Sequence, residues 1–285
     1  MKLSIKIKIL ITFCTLLLYF GIAFAEKPIR IVSLAPSITD SLYQLDAEES
    51  LVGVTSYCRN VCCAEIVGTL TNPNIEKVFS LSPDIVLTVR GVTRPQTIER
   101  LKRLGINVVV VDESRTFDDI VANFIRLSEI VGKRDLAEKI VVTIRKKVKA
   151  VADKTKNSTP IKVFWEINRR PLVTITSSSF MNEFITYSGC ENIFNDIRAK
   201  HPRVSSEEVL RKNPEVIILA SMGDVTIREK EYWQNFKDVE AVKNNRIYVI
   251  DADKFCRSTP SNFLMGLEEM ASLLYPEIFN LEGQS

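Results

Sequence analysis

Short runs rich in valine and isoleucine alternate along this chain with stretches whose apolar residues recur every three or four positions. That alternation is the sequence form of α/β units built on largely parallel sheets. Two groups of candidate strands stand out. The first comprises Arg30–Leu34, Leu51–Thr55, Asp84–Val89 and Asn107–Asp112; the second comprises Lys162–Ile167, Leu172–Thr176, Glu215–Ala220 and Arg246–Asp251. Between them, Leu136, Ile140, Ile144, Val148 and Val151 form one apolar stripe on a segment otherwise dominated by lysine and arginine, which predicts an amphipathic helix. Running from Lys133 to Lys154, such a helix would be roughly 33 Å long, enough to cross the back of two lobes. Asn157 to Pro160 stops it. The expected fold is therefore α/β with two lobes: residues 26–132, a connecting helix over 133–156, and residues 157–285.

A faint internal repeat supports two lobes. Glu76, Val78 and Pro83 in the first half match Glu207, Val209 and Pro214 in the second, each Pro followed by an acid and a β-branched run. The frame describes a short helix with a carboxylate in its first turn, a proline corner and a buried strand.

The start of the chain reads differently. Lys2, Lys6 and Lys8 precede an apolar run over residues 9–22 interrupted only by Thr12 and Thr15, and Ala23-Phe24-Ala25 closes it. This is the layout of a cleavable export signal, giving a mature chain from Glu26 and a periplasmic location. The run is short for a retained anchor, and no later apolar span reaches about 18 residues. Cleavage removes three of the 38 basic residues and none of the 35 acidic ones, so the mature chain is formally neutral. Neutrality gives no support to nucleic-acid binding. Catalysis also finds little footing: there is one histidine, and no Gly-x-Ser-x-Gly elbow, phosphate-binding loop or His-Glu-x-x-His motif.

Six segments, RIVSLAPSITDSLYQL, LVGVTSYC, TNPNIEKVFSLSPDIVLTVRG, RLGINVVVVD, SGCENIF and VSSEEVLRKNPEVII, resemble in order and spacing the periplasmic binding proteins of ABC importers for cobalamin and ferric siderophores. The resemblance covers nearly all of residues 28–275. It implies a monomeric bilobal receptor with one long helix joining the lobes and a ligand in the cleft between them. It further implies a transported metal chelate, corrinoid or ferric siderophore, delivered to an ABC permease dimer with its ATPase subunits. Haem capture, with Tyr57 or His201 as iron ligand, is the alternative within the same fold; an exported α/β enzyme or a sensor ectodomain is the alternative outside it. A bare zinc or manganese ion would need several histidines.

The same resemblance places Pro36, with Ser37, on the cleft floor, Tyr57 and His201 on its walls, and Arg90 and Arg257 at its mouth. Tyrosine offers a broad amphipathic face to a macrocycle or catecholate, and arginine forks onto carboxylates, phosphates or amide oxygens. Ser37 and Asp40 also fit a capping box, a purely structural role, and Phe180 reads as a helix-core aromatic. Leu70, Val89 and His201 stand where cobalamin-specific members can carry tryptophans, so the aromatic box is thinned. Glu76 and Glu207 match the pair of glutamates that dock family members onto arginines of the permease. Of the five mature cysteines, Cys190 with Cys256 is one candidate bridge, and Cys58 with Cys62 or Cys63 another.

Overall fold

The computed structural model describes residues 28–59, 61–221 and 226–279. The expected signal segment lies outside the described residues. The first sheet is wholly parallel, with strands β1 (Ile31–Ser33), β2 (Leu51–Val54), β3 (Glu65–Ile66), β4 (Ile85–Val89) and β5 (Val108–Val111) in the order β3-β2-β1-β4-β5. The chain winds outward from β1 in one direction and then from β4 in the other. The β1/β4 boundary is thus the point where strand order reverses, and ligands of open parallel sheets bind beyond the strand carboxyl ends at such a point.

The second sheet runs β10-β9-β6-β7, from β6 (Lys162–Arg169), β7 (Leu172–Thr174), β9 (Val216–Ser221) and β10 (Ile247–Asp251). β7 is antiparallel to β6, and the two-residue β8 (Glu191–Asn192) also pairs with β6. Helices cover the faces: α1 (Pro36–Gln44), α2 (Ile75–Ser80), α3 (Pro95–Arg103) and α4 (Phe117–Ile130) in the first half, and α6 (Asn182–Tyr187) through α12 (Pro276–Phe279) in the second.

α5 (Arg134–Thr155) joins the halves. Its buried residues, Ala137, Val141, Ile144, Val148, Val151 and Thr155, recur in alternating steps of four and three, a single stripe. It packs against α4 and against α11 (Pro260–Leu274), and α11 itself touches α4 and α6. Phe263 of α11 shows what this achieves. Its ring stacks on Phe117 of the first half at 4.5 Å and on Phe184 of the second at 4.8 Å. One buried apolar cluster consequently runs from Ile31 and Leu42 through α5 to Trp165 and Phe255.

The repeated frame is repeated in atomic detail. Ser82 and Asn213, each preceding the proline, take left-handed φ values of 44° and 46°. After the proline, Asp84 donates its N–H to the Arg30 carbonyl at 2.9 Å and accepts the Arg30 N–H at 2.8 Å on its carboxylate. Glu215 does the same with Lys162, both bonds at 2.9 Å. The acid therefore clamps the start of the first strand in each lobe, at the residue before β1 in one and at the first residue of β6 in the other, and fixes the register of that strand against its neighbour.

Candidate ligand cleft

A cavity of about 310 Å³ opens between the lobes. Its floor is formed by chain leaving the carboxyl ends of three first-lobe strands: Ala35 and Pro36 after β1, Val89 and Val92 after β4, and Asp112 to Ser114 after β5. This is the switch point of the sheet. Asn123, Phe124 and Leu127 of α4 form one side, and Asn123 holds the floor by donating to the Asp112 carbonyl at 2.8 Å and the Ser114 hydroxyl at 3.0 Å. The second lobe contributes Phe180, Asp253, Cys256 and Arg257. The lining is mostly apolar in area, and its charged residues are Asp112, Glu113, Asp253 and Arg257.

Pro36, Tyr57 and Arg257 reach the wall, as do Leu70 and Val89. Pro36 opens α1 at its first position, where a proline's missing N–H costs nothing. The Ser37–Asp40 capping box does not form: the cap residue is Ala35, and Asp40 turns instead toward the second lobe. Both Asp40 carboxylate oxygens lie 3.2 Å from Arg257 Nη1, Arg257 Nη2 donates to the Tyr57 carbonyl at 3.0 Å, and Asn262 donates to Asp40 at 3.4 Å. Arg257 is only 13% exposed. Its guanidinium is thus already engaged across the lobes, and its free reach toward a ligand is smaller than the sequence suggests. Burial raises the Asp40 pKa, against the pull of Arg257. Arg59 pairs with Asp253 at 2.5 Å, and Gln44 donates to Thr259 at 2.8 Å, so five polar residue pairs close this flank.

Arg90 is exposed and is not among the lining residues, although it pairs with Asp112 of the floor at 2.7 Å. His201 is exposed and is not among the wall residues, although its neighbour Lys200 pairs with Glu113 of the floor. Partial desolvation and then Lys200 lower the His201 pKa, so it favours the neutral imidazole. Phe180 is a core aromatic as read, buried edge-on against Phe184 at 6.3 Å, but it lies just before α6 and also lines the cavity. Asn123, Phe124 and Leu127 were not singled out by sequence, because their spacing is that of any core-facing helix. Cys256 was singled out only as a bridge partner.

All five cysteines among the described residues are free. The Cys190–Cys256 bridge is not formed: Cys190 packs beside the Tyr275 hydroxyl at 3.6 Å, whereas Cys256 lies on the cleft wall 4.0 Å from the Met181 sulfur. Burial, then Asp253 and Asp251, push the Cys256 thiol up to about 11, which keeps it protonated. Cys58 bonds Thr39 at 3.2 Å and pairs with neither Cys62 nor Cys63. Glu76 and Glu207 are both exposed and each is the second residue of its helix, α2 and α7 (Ser206–Lys212). Neither makes an ion pair among the described residues, and the capping is done by neighbours, Asn74 in one helix and Ser205 with Glu208 in the other.

Residues 31–254 match the family model described as periplasmic binding protein. The chain is 30% identical over 267 residues to an ABC transporter substrate-binding lipoprotein of Bacillus subtilis, covering 90% of this chain and 83% of that one. It is 27% identical over 248 residues to a vitamin B12-binding protein of Vibrio cholerae, covering 86% and 88% of the two. Among solved structures, a possible iron-binding, periplasmic solute-binding protein of Staphylococcus epidermidis superposes with a TM-score of 0.78 at 26% identity, over 88% of this chain and all of that one. The crystal structure of the Vibrio cholerae periplasmic vitamin B12-binding protein gives 0.74 at 25%, over 91% and 99%.

Proposed function

Since the chain belongs to the periplasmic binding protein family, we propose that it is an exported, monomeric receptor that captures a bulky metal chelate, a corrinoid or ferric siderophore. It then hands that chelate to an ABC import permease driven by separate ATPase subunits. The observation that carries this reading is the mainly apolar cavity at the strand-order reversal, whose lining includes charged groups from both lobes. Vitamin B12, named for the Vibrio cholerae relative, is a corrinoid chelate. At about 310 Å³ the cavity is at the small end of ligand pockets. A chelate of corrinoid size is held by one face, with its periphery at the open mouth. Its apolar surface meets Ile38, Leu70, Val89 and Phe124, and its polar edge meets Asp112, with which Arg90 pairs.

The action is capture and delivery without bond chemistry. Glu76 and Glu207 serve the delivery step by docking one lobe onto each permease subunit; their equivalent, exposed and unpaired positions support this. A haem reading is favoured by Tyr57, a phenol 55% exposed on the wall; His201, off the wall, adds nothing to it. The visible spectrum of protein purified from its own cells distinguishes corrinoid, haem and ferric siderophore by their separate bands. Calorimetry on Tyr57→Ala then tests the cleft, with an expected loss of roughly 1–3 kcal/mol, about five- to a hundredfold in affinity. A colourless protein that takes up none of cyanocobalamin, haemin or ferric siderophores overturns the reading.

A further inference from the structure

Adjacent residues of an extended strand point to opposite faces, so neighbouring cysteines ordinarily keep their sulfurs apart. Just before β3 the backbone instead bends at Cys62 and Cys63, and the two Sγ atoms lie 3.3 Å apart, with the Cys63 thiol donating to Cys62. The bend is anchored on both sides. Val61 and Ala64 pack against the first-lobe core, as does Tyr43 of α1, whose hydroxyl interacts with Cys62. Both cysteines are exposed. Cys58, the nearest other thiol in sequence, is occupied with Thr39 and Thr55. No cluster of three metal-ligating side chains occurs among the described residues, which leaves a two-sulfur chemistry as the reading of this pair.

We propose that Cys62 and Cys63 are a vicinal dithiol that closes reversibly to a disulfide, a redox modification site at the base of the cleft loop, taking its oxidising equivalents from a low-molecular-weight or protein disulfide. Because the Cys63 thiol donates toward Cys62 Sγ, the geometry assigns Cys62 as the sulfur that attacks first. The Cys62 thiolate attacks one sulfur of the oxidant, forming a mixed disulfide and releasing one thiolate. The Cys63 sulfur then attacks Cys62, closing the ring and releasing the second thiolate. Two electrons pass to the oxidant, and the two thiol protons end on the two thiols it becomes. Neighbouring Cα atoms sit about 3.8 Å apart, below the usual range for disulfide partners, so the closed ring is strained and easily reduced. The bond is a switchable one, unlike the structural bridges of many exported domains.

The same chain segment begins with Tyr57 and Arg59, whose carbonyl and guanidinium hold Arg257 and Asp253 across the cleft. The redox state of the pair therefore acts on a segment that binds both lobes. The test uses the reduced full chain, equilibrated in glutathione buffers of rising disulfide share, acid-quenched, alkylated under denaturing conditions and mapped by mass spectrometry. The expected product has lost two hydrogens, carries Cys62 and Cys63 unalkylated in one peptide, and leaves Cys58, Cys190 and Cys256 alkylated; Cys62→Ser and Cys63→Ser each abolish it. Full alkylation of both thiols at every buffer composition overturns the proposal. So does a bond that maps to Cys58 or links two chains.

Discussion

Glu166 of β6 is 2% exposed, in the middle of the second sheet. One carboxylate oxygen accepts the Trp233 indole N–H at 2.7 Å, and the other finds no partner among the described residues. Burial pushes its pKa up to about 7; Trp233 opposes this, Glu229 adds to it and Arg169 opposes it. Between about 4.5, the unfolded value, and about 7 the folded chain holds a proton that the unfolded chain has lost. Stability from this group is accordingly present below about pH 4.5 and lost as pH rises through that window. Glu166→Gln keeps an acceptor for Trp233 and removes the titration. Urea denaturation should show it more stable than wild type near about pH 8, by on the order of 2–3 kcal/mol, and little changed near about pH 4. Parallel curves for the two proteins would remove Glu166 from the account. Nothing in the pattern of the second sheet announces this residue, since a lone glutamate in KVFWEINR reads as the polar member of an alternating strand. Pro36, Tyr57 and Arg257 were legible because they follow strands in recognisable segments; the clasp of Asp40 on Arg257, spanning 217 positions, was not, because no local spacing encodes it.

Proline corners and helix starts carry the element scale. All eight sequence-read strands form, with their ends moved inward or outward by a few residues, because β-branched runs bounded by Pro, Gly or Asn leave the backbone few alternatives. β3 and β8 escaped notice, since two residues show no period at all. The repeated Glu-x-Val frame was visible as spacing, and its physical content became clear only in the hydrogen bonds that Asp84 and Glu215 make to Arg30 and Lys162. Within that frame Glu76 and Glu207 are exposed and form no ion pair among the described residues, while Asn74, Ser205 and Glu208 do the capping and Glu207 bonds only its own turn. Replacing both by arginine should leave the fold and chelate affinity near wild type while abolishing stimulation of the transporter ATPase in proteoliposomes. Undiminished stimulation by the folded double variant would leave these glutamates as first-turn carboxylates complementing their helix dipoles and nothing more.

At the scale of the whole molecule the two lobes share a core, and that sharing limits how the cleft can work. A connector of coil would let the lobes open and close; here α5 buries one stripe against α4, α6 and α11, and α11 reaches both halves. The amphipathic connector was evident from its periodicity. The bridging by α11 was not, because a C-terminal apolar helix in sequence carries no sign of which lobe it will cover. Phe263 is the residue on which the coupling turns: 1% exposed, it is stacked between Phe117 and Phe184 and meets Tyr187 edge-on at 5.7 Å. Its truncation removes a large buried ring and leaves a cavity, a change that costs about 3–5 kcal/mol in well-packed cores. Because that cavity lies where the halves meet, Phe263→Ala should also weaken the link between them more than either lobe itself. Calorimetric scanning of wild type is expected to show one cooperative transition, and of Phe263→Ala a lower transition resolved into two. A variant destabilised by under about 1 kcal/mol, or one that unfolds in a single step after losing the full amount, would mean that the lobes are held together elsewhere, with the Asp40–Arg257 flank the place to look.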